Sequence, residues 1–322
     1  MSFKIDDKIE RQLRNAHYGV YNHSAVQICT WTKKSLHDEG YCYKQKFYGI
    51  QSHRCMEFSP SAAFCELNCI FCWRPMEFMR FRFLSSKEVD EPKVIYEKLL
   101  AERKKLLSGF PGDGKTNMKK FEESQTPTHF AISLSGEPTL YPKLPELVEF
   151  LRSLPQTKSI FIVSNGQEPK IIKKLLNSPP TQLYISVNAP DATVFKKICR
   201  PVYKDAWSRF LKSLEIMSKM KTRRTLRLTM IKGFNMDEKY VKSYAKLIKK
   251  SKAHFIEVKA FMWIGFSRKR LKQENMPLHN EIRKFAEKLA KESNLEIIDE
   301  KEDSRVVLLS STNAPDRFIK KP

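Results

Sequence analysis

Cys65, Cys69 and Cys72 lie in the stretch Cys65-Glu66-Leu67-Asn68-Cys69-Ile70-Phe71-Cys72, and their number and spacing restrict the chemistry they can support. Three close thiolates without a nearby fourth can bind three irons of a 4Fe-4S cube and leave the last iron open to another ligand. Zinc is the alternative occupant. Structural zinc takes four ligands, however, and no Cys or His follows Cys72 closely enough to complete a local site. A second set, Cys29, Cys42 and Cys55, has twelve residues in each gap. Such thiols are either small buried hydrophobes or ligands of a second cluster with its own open iron, and the residues alone leave both readings standing. Cys199 has no partner pattern and reads as structural.

The chain has 322 residues, 41% of them hydrophobic, enough for a full core and, at roughly 150 residues per domain, for two domains or one barrel. Lys and Arg outnumber Asp and Glu by 59 to 36. The resulting net charge of +23 points to nucleic acid or an anionic membrane without choosing between them. No apolar run reaches the roughly 18 residues of a membrane span, and residues 1–14 are charged throughout, so neither a transmembrane helix nor a secretory signal is expected. Seven cysteines, an odd number in this grouping, favour a reducing, cytoplasmic setting over a disulfide scaffold.

The cysteines need a framework. Short β-branched runs at about 54–58, 129–134, 159–163, 182–187, 225–230 and 254–260 alternate with helical patterns such as Trp207, Leu211, Leu214, Met217 and Val241, Tyr244, Ile248. Six strands separated by helices predict an α/β fold with a parallel sheet, either doubly wound or an incomplete barrel. In both, ligands gather at the C-terminal ends of the strands, and the 65–72 loop follows the first strand directly. Pro277 starts a last helix through Leu278, Ile282, Phe285 and Leu289, and 295–298 with 305–309 predict a strand pair that extends the sheet.

Other strand ends suit a nucleoside-like cofactor. Ser135-Gly136-Glu137 ends the second strand, where glycine permits close backbone approach and a carboxylate can accept from an ammonium group. Ser164-Asn165-Gly166 ends the third and Ser186-Val187-Asn188 the fourth. Each alone is as well read as a turn, but their appearance after successive strands converges on one face. Residues 109–116, Gly-Phe-Pro-Gly-Asp-Gly-Lys-Thr, match a phosphate-binding loop in form only. A helical pattern precedes them where a strand is required, and 109–127 reads as an exposed loop.

The pattern C-x3-C-x-aromatic-C, with Phe71 as its aromatic residue, resembles the signature of radical SAM enzymes. Ser135-Gly136-Glu137-Pro138 resembles the motif that grips the methionine amino group in them, with Ser135 in place of a first glycine. Over nearly the whole chain the sequence resembles one family, the tRNA 4-demethylwyosine synthases of wybutosine biosynthesis. The likeness runs through both cysteine sets, Ser133-Leu134-Ser135-Gly136-Glu137-Pro138-Thr139-Leu140-Tyr141-Pro142, Leu183-Tyr184-Ile185-Ser186-Val187, Arg227-Leu228-Thr229-Met230-Ile231-Lys232-Gly233 and Phe255-Ile256-Glu257-Val258-Lys259-Ala260. It implies a partial (βα)6 TIM-like barrel and two 4Fe-4S clusters, on Cys65, Cys69, Cys72 and on Cys29, Cys42, Cys55. It also implies S-adenosyl-L-methionine cleaved to a 5'-deoxyadenosyl radical, with Phe71, Ser135, Gly136, Glu137, Ser164, Asn165, Ser186 and Asn188 as cofactor-binding residues. On this reading 1–53 is an N-terminal extension, 54–266 the core and 267–322 a basic segment, helix and strand pair.

The implied reaction, a carbon–carbon lyase step, condenses N1-methylguanosine at position 37 of tRNA-Phe with pyruvate to give the tricyclic base. Lys44 occupies the family position of a lysine that holds pyruvate as a Schiff base; on composition alone it and Lys46 would face solvent. Two cationic stretches suit the anticodon loop. Arg74, Arg80 and Arg82 are interleaved with aromatic rings, which read equally as core. Arg268, Lys269 and Arg270 follow the sixth strand on the catalytic face and read otherwise as a solvated charge run. A separate electron-donor protein is expected, because the flavodoxin-like domain of eukaryotic members is lacking, and a monomer is expected. Two other readings stay open on the residues: a radical SAM enzyme acting on another tRNA base, and a non-catalytic metal-bearing RNA-binding protein.

Overall fold

Among the described residues, ten strands form one sheet: β1 (Tyr18–Tyr21), β2 (Ser24–Gln27), β3 (Cys55–Ser59), β4 (His129–Ile132), β5 (Ser159–Ser164), β6 (Gln182–Val187), β7 (Arg223–Met230), β8 (Phe255–Ala260), β9 (Glu296–Lys301) and β10 (Val306–Ser310). The computed structural model describes residues 2–75, 77 and 83–319. Strands β3 to β8 pair in parallel and in sequence order, with helices between them, which is the (βα)6 partial barrel. Antiparallel strands extend both sides, β2 and β1 beyond β3, and β10 then β9 beyond β8.

Alternation along the strands separates two cores. Ile160, Ile162, Leu183 and Ile185 face outward into the main core, covered by helices that include Pro92–Leu107, Leu144–Ser153, Ala206–Met217, Val241–Ser251 and His279–Ser293. Phe161, Val163, Tyr184 and Phe255 face the other way, and onto them pack Tyr43, Phe47 and Tyr48 of the short helix Tyr43–Tyr48. This helix plugs the inner face of the barrel. It ends at Gly49, whose φ of +75° supplies the left-handed cap that stops a helix after two turns. At its base Glu257 of β8 is fully buried and accepts hydrogen bonds from the hydroxyls of Tyr43 (2.9 Å) and Tyr48 (2.8 Å).

Two elements depart from the sequence reading. The hairpin β1–β2 precedes the first strand anticipated; its four-residue strands turn through Asn22 at φ +48° and are too short to show a period. Within 109–127, read as a loop, Met118–Ser124 is a helix, because the Asn117 side chain accepts from Lys120 N (3.1 Å) and caps it. The rejected phosphate loop behaves as expected: a Cβ at Gly109, Gly112 or Gly114 would meet nothing within 4 Å, so no close backbone approach is built there.

The hairpin also sets up the site. Buried His23 at its turn contacts Pro60 O through Nδ1 (2.6 Å) and accepts from Asp90 N at Nε2 (2.8 Å), while its own carbonyl accepts from Ala62 N (2.9 Å). Burial lowers the pKa of this imidazole, consistent with a neutral ring that donates at Nδ1. The start of the cysteine loop is thereby tied to the N-terminal hairpin.

Tyr48→Phe removes one of the two hydroxyls on the buried Glu257 carboxylate. A hydrogen bond to a charged group contributes about 1.5–3 kcal/mol, and a urea melt should show a loss of that size.

Candidate active site

The cysteine loop leaves β3 and crosses the C-terminal ends of the parallel strands, held on three sides. On the first side, Ser61 Oγ donates to Glu137 O (2.7 Å), Ser135 Oγ to Ala62 O (2.8 Å) and Glu137 N to Phe64 O (2.7 Å). Gly136 sits at φ +69°, and a Cβ there would lie 2.0 Å from Ser61 O and 2.6 Å from Phe64 O. Only glycine allows the two chains to touch. On the second side, Asn68 N and Ile70 N donate to Cys199 O and Ile198 O, each at 2.9 Å, and Val202 N to Glu66 O at 2.9 Å. On the third, Arg270 donates from Nε to Ile70 O (3.1 Å) and from its Nη atoms to Cys72 O and the Glu77 carboxylate. Phe266 N also donates to Trp73 O (3.1 Å) there.

Both cysteine sets are free thiols, half-buried. Burial, then the Glu66, Cys69 and Glu137 charges, raises Cys65; burial and the Cys69 charge push Cys72 up to about 11. Cys69 is raised first by a hydrogen bond with Cys199, so Cys199 lies against the first cysteine set. In the second set burial and Cys29 push Cys42 up to about 12, and the same two causes raise Cys55. The three thiols of the second set are therefore within electrostatic reach of one another, and in the first set Cys69 is within reach of both Cys65 and Cys72. Among the described residues no three His, Cys, Asp or Glu side chains converge on a single ion. The first set, three thiols of one loop whose thiolates can each bind a separate iron, fits a 4Fe-4S cube.

Around the first set the strand ends form a polar cradle. The Glu137 carboxylate accepts from Thr139 N (3.1 Å), Thr139 Oγ1 (2.6 Å), Ser164 Oγ (2.8 Å) and Asn165 N (2.8 Å), so protein donors fill the acceptor sites expected to meet an ammonium. Asn165 Nδ2 lies 3.7 Å from Cys65 Sγ and donates to Glu66 Oε2 (3.0 Å). Phe71 packs with Cys65 and Cys69 against a small core, and Ser186 is half-buried on β6. Buried atoms without a partner among the described residues include Glu66 Oε1, Gln167 Oε1 and Asn188 Oδ1. Orphans of this kind at strand ends fit a polar ligand such as S-adenosylmethionine. Glu66, raised by burial and by the Glu137 charge, is a site residue that cysteine spacing gave no reason to notice.

Lys44, 7% exposed, places Nζ 4.8 Å from the ring centroids of both Phe161 and Tyr184, inside the barrel and within electrostatic reach of Cys42 and Cys55. Lys259 of β8, also missed from sequence, donates to Ser304 O (2.6 Å) beside the Tyr43 ring; burial pushes its amine down to about 8 against the opposing pull of Glu257. Lys46 instead pairs with Asp299 (2.9 Å).

The cationic residues divide. Arg74 is 5% exposed, stacked on Trp73 at 3.4 Å and donating to the Tyr18 hydroxyl, so it ties the loop to β1. Arg80 and Arg82 lie outside the described residues. Arg268 and Lys269 are exposed, over the rings of Trp263 (4.9 Å) and Phe266 (4.6 Å). Arg270, beside them, has its guanidinium occupied by the cysteine loop.

Residues 59–245 match the radical SAM superfamily, and 250–311 match a family described as wyosine base formation. A tRNA 4-demethylwyosine synthase of Pyrococcus horikoshii is 45% identical, over 97% of this chain and 93% of that one. The chain belongs to the tRNA 4-demethylwyosine synthase family. The Methanocaldococcus jannaschii member of the family is 42% identical over 96% of this chain and 97% of its own. Among solved structures, one of TYW1 with a lysine-pyruvate adduct bound superposes at a TM-score of 0.86, with 40% identity over 98% of each chain. As a radical SAM family member the chain uses S-adenosylmethionine and a 4Fe-4S cluster, which the cradle above suits. Among the described residues no helix is long and apolar enough to cross a membrane.

Gly136→Ala forces a methyl group into the carbonyls of Ser61 and Phe64. The variant should keep its fold by circular dichroism but lose S-adenosylmethionine binding, measured by equilibrium dialysis of the reconstituted protein.

Proposed function

We propose that this family member joins pyruvate to N1-methylguanosine at position 37 of tRNA-Phe and closes the third ring of 4-demethylwyosine, as a carbon–carbon lyase. Lys44 carries this reading: a buried amine on two aromatic rings, whose Nζ has no hydrogen-bonding or ion-pairing partner among the described residues. The similar structure that bears a lysine-pyruvate adduct supports it. An amine so placed can attack the pyruvate ketone and expel water, leaving an imine that fixes the three-carbon donor inside the barrel. Cluster-bound S-adenosylmethionine supplies, when bound, the radical that takes a hydrogen atom from the N1-methyl group. Phe161 and Tyr184 exclude water from the imine, and the aromatic plug that carries Lys44 keeps it on the inner face of the sheet.

The second cysteine set belongs to the same reading. Cys29, Cys42 and Cys55 hold a second 4Fe-4S cluster, and Cys42, two residues before Lys44, sets that cluster beside the pyruvate amine. Residues 1–53 then act as a cluster- and lysine-bearing extension of the 54–266 core, and 267–322 as the RNA-facing unit. A separate donor protein delivers the electrons.

Lys259 offers a second place for the imine, because its lowered amine pKa leaves more of it uncharged near neutral pH. Borohydride reduction after incubation with pyruvate distinguishes the two. The adduct is expected on the peptide containing Lys44; an adduct on Lys259 moves the role there, and no lysine adduct overturns the imine. Lys44→Arg keeps the charge but cannot form an imine, and should cleave S-adenosylmethionine without making the tricyclic base.

For tRNA, the exposed pair Arg268 and Lys269 contacts phosphate, whereas Arg270 holds the loop. Replacing Arg268 and Lys269 by alanine should flatten the log–log dependence of tRNA binding on salt by roughly 0.7–0.9 per lost contact, read by filter binding at several salt concentrations.

A further inference from the structure

Arg103 projects from the helix Pro92–Leu107 beneath the start of β3 and is 0% exposed. Its Nη1 donates to Ser124 O, its Nη2 to Cys55 O (3.2 Å) and His53 O (3.4 Å), and its Nε has no acceptor among the described residues. Three carbonyls hold the guanidinium in place without neutralising it. Among the described residues, the acidic groups in electrostatic reach are the thiols of Cys55 and Cys29 and the phenol of Tyr96, with no carboxylate among them. A guanidinium stays protonated near neutral pH, so Arg103 is a cation in this buried position. A fully buried cation without a counter-charge is costly, and proteins keep such groups where an anion completes the site.

We propose that Arg103 is a counter-cation of an anionic iron-sulfur cluster held by Cys29, Cys42 and Cys55. Three thiolates leave such an assembly negatively charged, and reduction adds a further electron. Arg103 is then a positioning residue with two tasks: its Nη2 fixes the main chain at Cys55, and its charge stabilises the thiolates and the reduced state. The inference rests on the two-cluster reading above, and it explains why an arginine, rather than a neutral donor, satisfies the carbonyls of His53, Cys55 and Ser124.

The test isolates the second site in the full-length chain carrying Cys65→Ala, Cys69→Ala and Cys72→Ala, reconstituted anaerobically. This parent should bind about four irons. Arg103→Gln keeps amide donors without the charge; it should move the cluster's reduction potential to more negative values and speed iron loss to a chelator by about tenfold or more. Arg103→Lys keeps the charge and should hold the potential near the parent's. Should the glutamine variant not fold, Arg103→Met replaces it with the same expected shift. An unchanged potential and release rate without the charge overturns the role of Arg103 and leaves the second cluster standing. A parent that takes up no iron removes the cluster, and the inference with it.

Discussion

The active site depends on the van der Waals contact between Gly136 and the carbonyls of Ser61 and Phe64. That contact brings the loop leaving β3 against the loop leaving β4, and the hydrogen bonds from Ser61, Ser135 and Glu137 become possible only at that separation. Glu137 then relays the constraint. By accepting from Thr139, Ser164 and Asn165 it fixes the end of β5, and Asn165 in turn reaches Cys65 and Glu66. A glycine–carbonyl contact on one strand end thus orders three successive loops.

The plug Tyr43–Tyr48 gives the barrel a second function. A six-stranded partial barrel leaves part of its inner face uncovered, and here aromatic side chains of a two-turn helix fill it. Because Cys42 stands at the N-terminal boundary of this helix and Lys44 lies in its first turn, the packing that closes the barrel also delivers a thiol and an amine to its interior. Glu257 fastens the plug from below through two tyrosine hydroxyls, so a polar anchor beneath an apolar contact fixes the height at which Lys44 meets Phe161 and Tyr184.

Much of this was legible in the sequence where the signal is local. The six parallel strands lie within one residue of the β-branched runs, except that β4 stops two residues early, at Ile132, and β7 starts two residues early, at Arg223; the closing strand pair extends the sheet as expected. The cysteine spacing announced a cluster loop because ligand spacing is a property of neighbours in the chain. Long-range partners carry no such signal. Arg74 and Arg270 read as cations available to phosphate, yet their guanidiniums meet Tyr18 and the Ile70 and Cys72 carbonyls. Lys259 on a strand and Arg103 on a helix carry no local sequence signal, and only burial distinguishes them. The helix Met118–Ser124 was missed because its composition is polar and its one signal, the Asn117 cap, is a single residue.

The stitching of the cysteine loop also bears on how the protein matures. The loop's partners arrive in order along the chain: His23 before it, Gly136 and Glu137 next, then Ile198 and Cys199, and last Arg270, 200 residues beyond Ile70. All six cysteines of the two sets have been synthesised by residue 72, but the walls that shape their loop have not. Closing so long a loop is slow compared with local folding, since its entropy must be lost before the contacts repay it. A growing chain therefore carries Cys65, Cys69 and Cys72 long before Arg270, the last partner of their loop, is made.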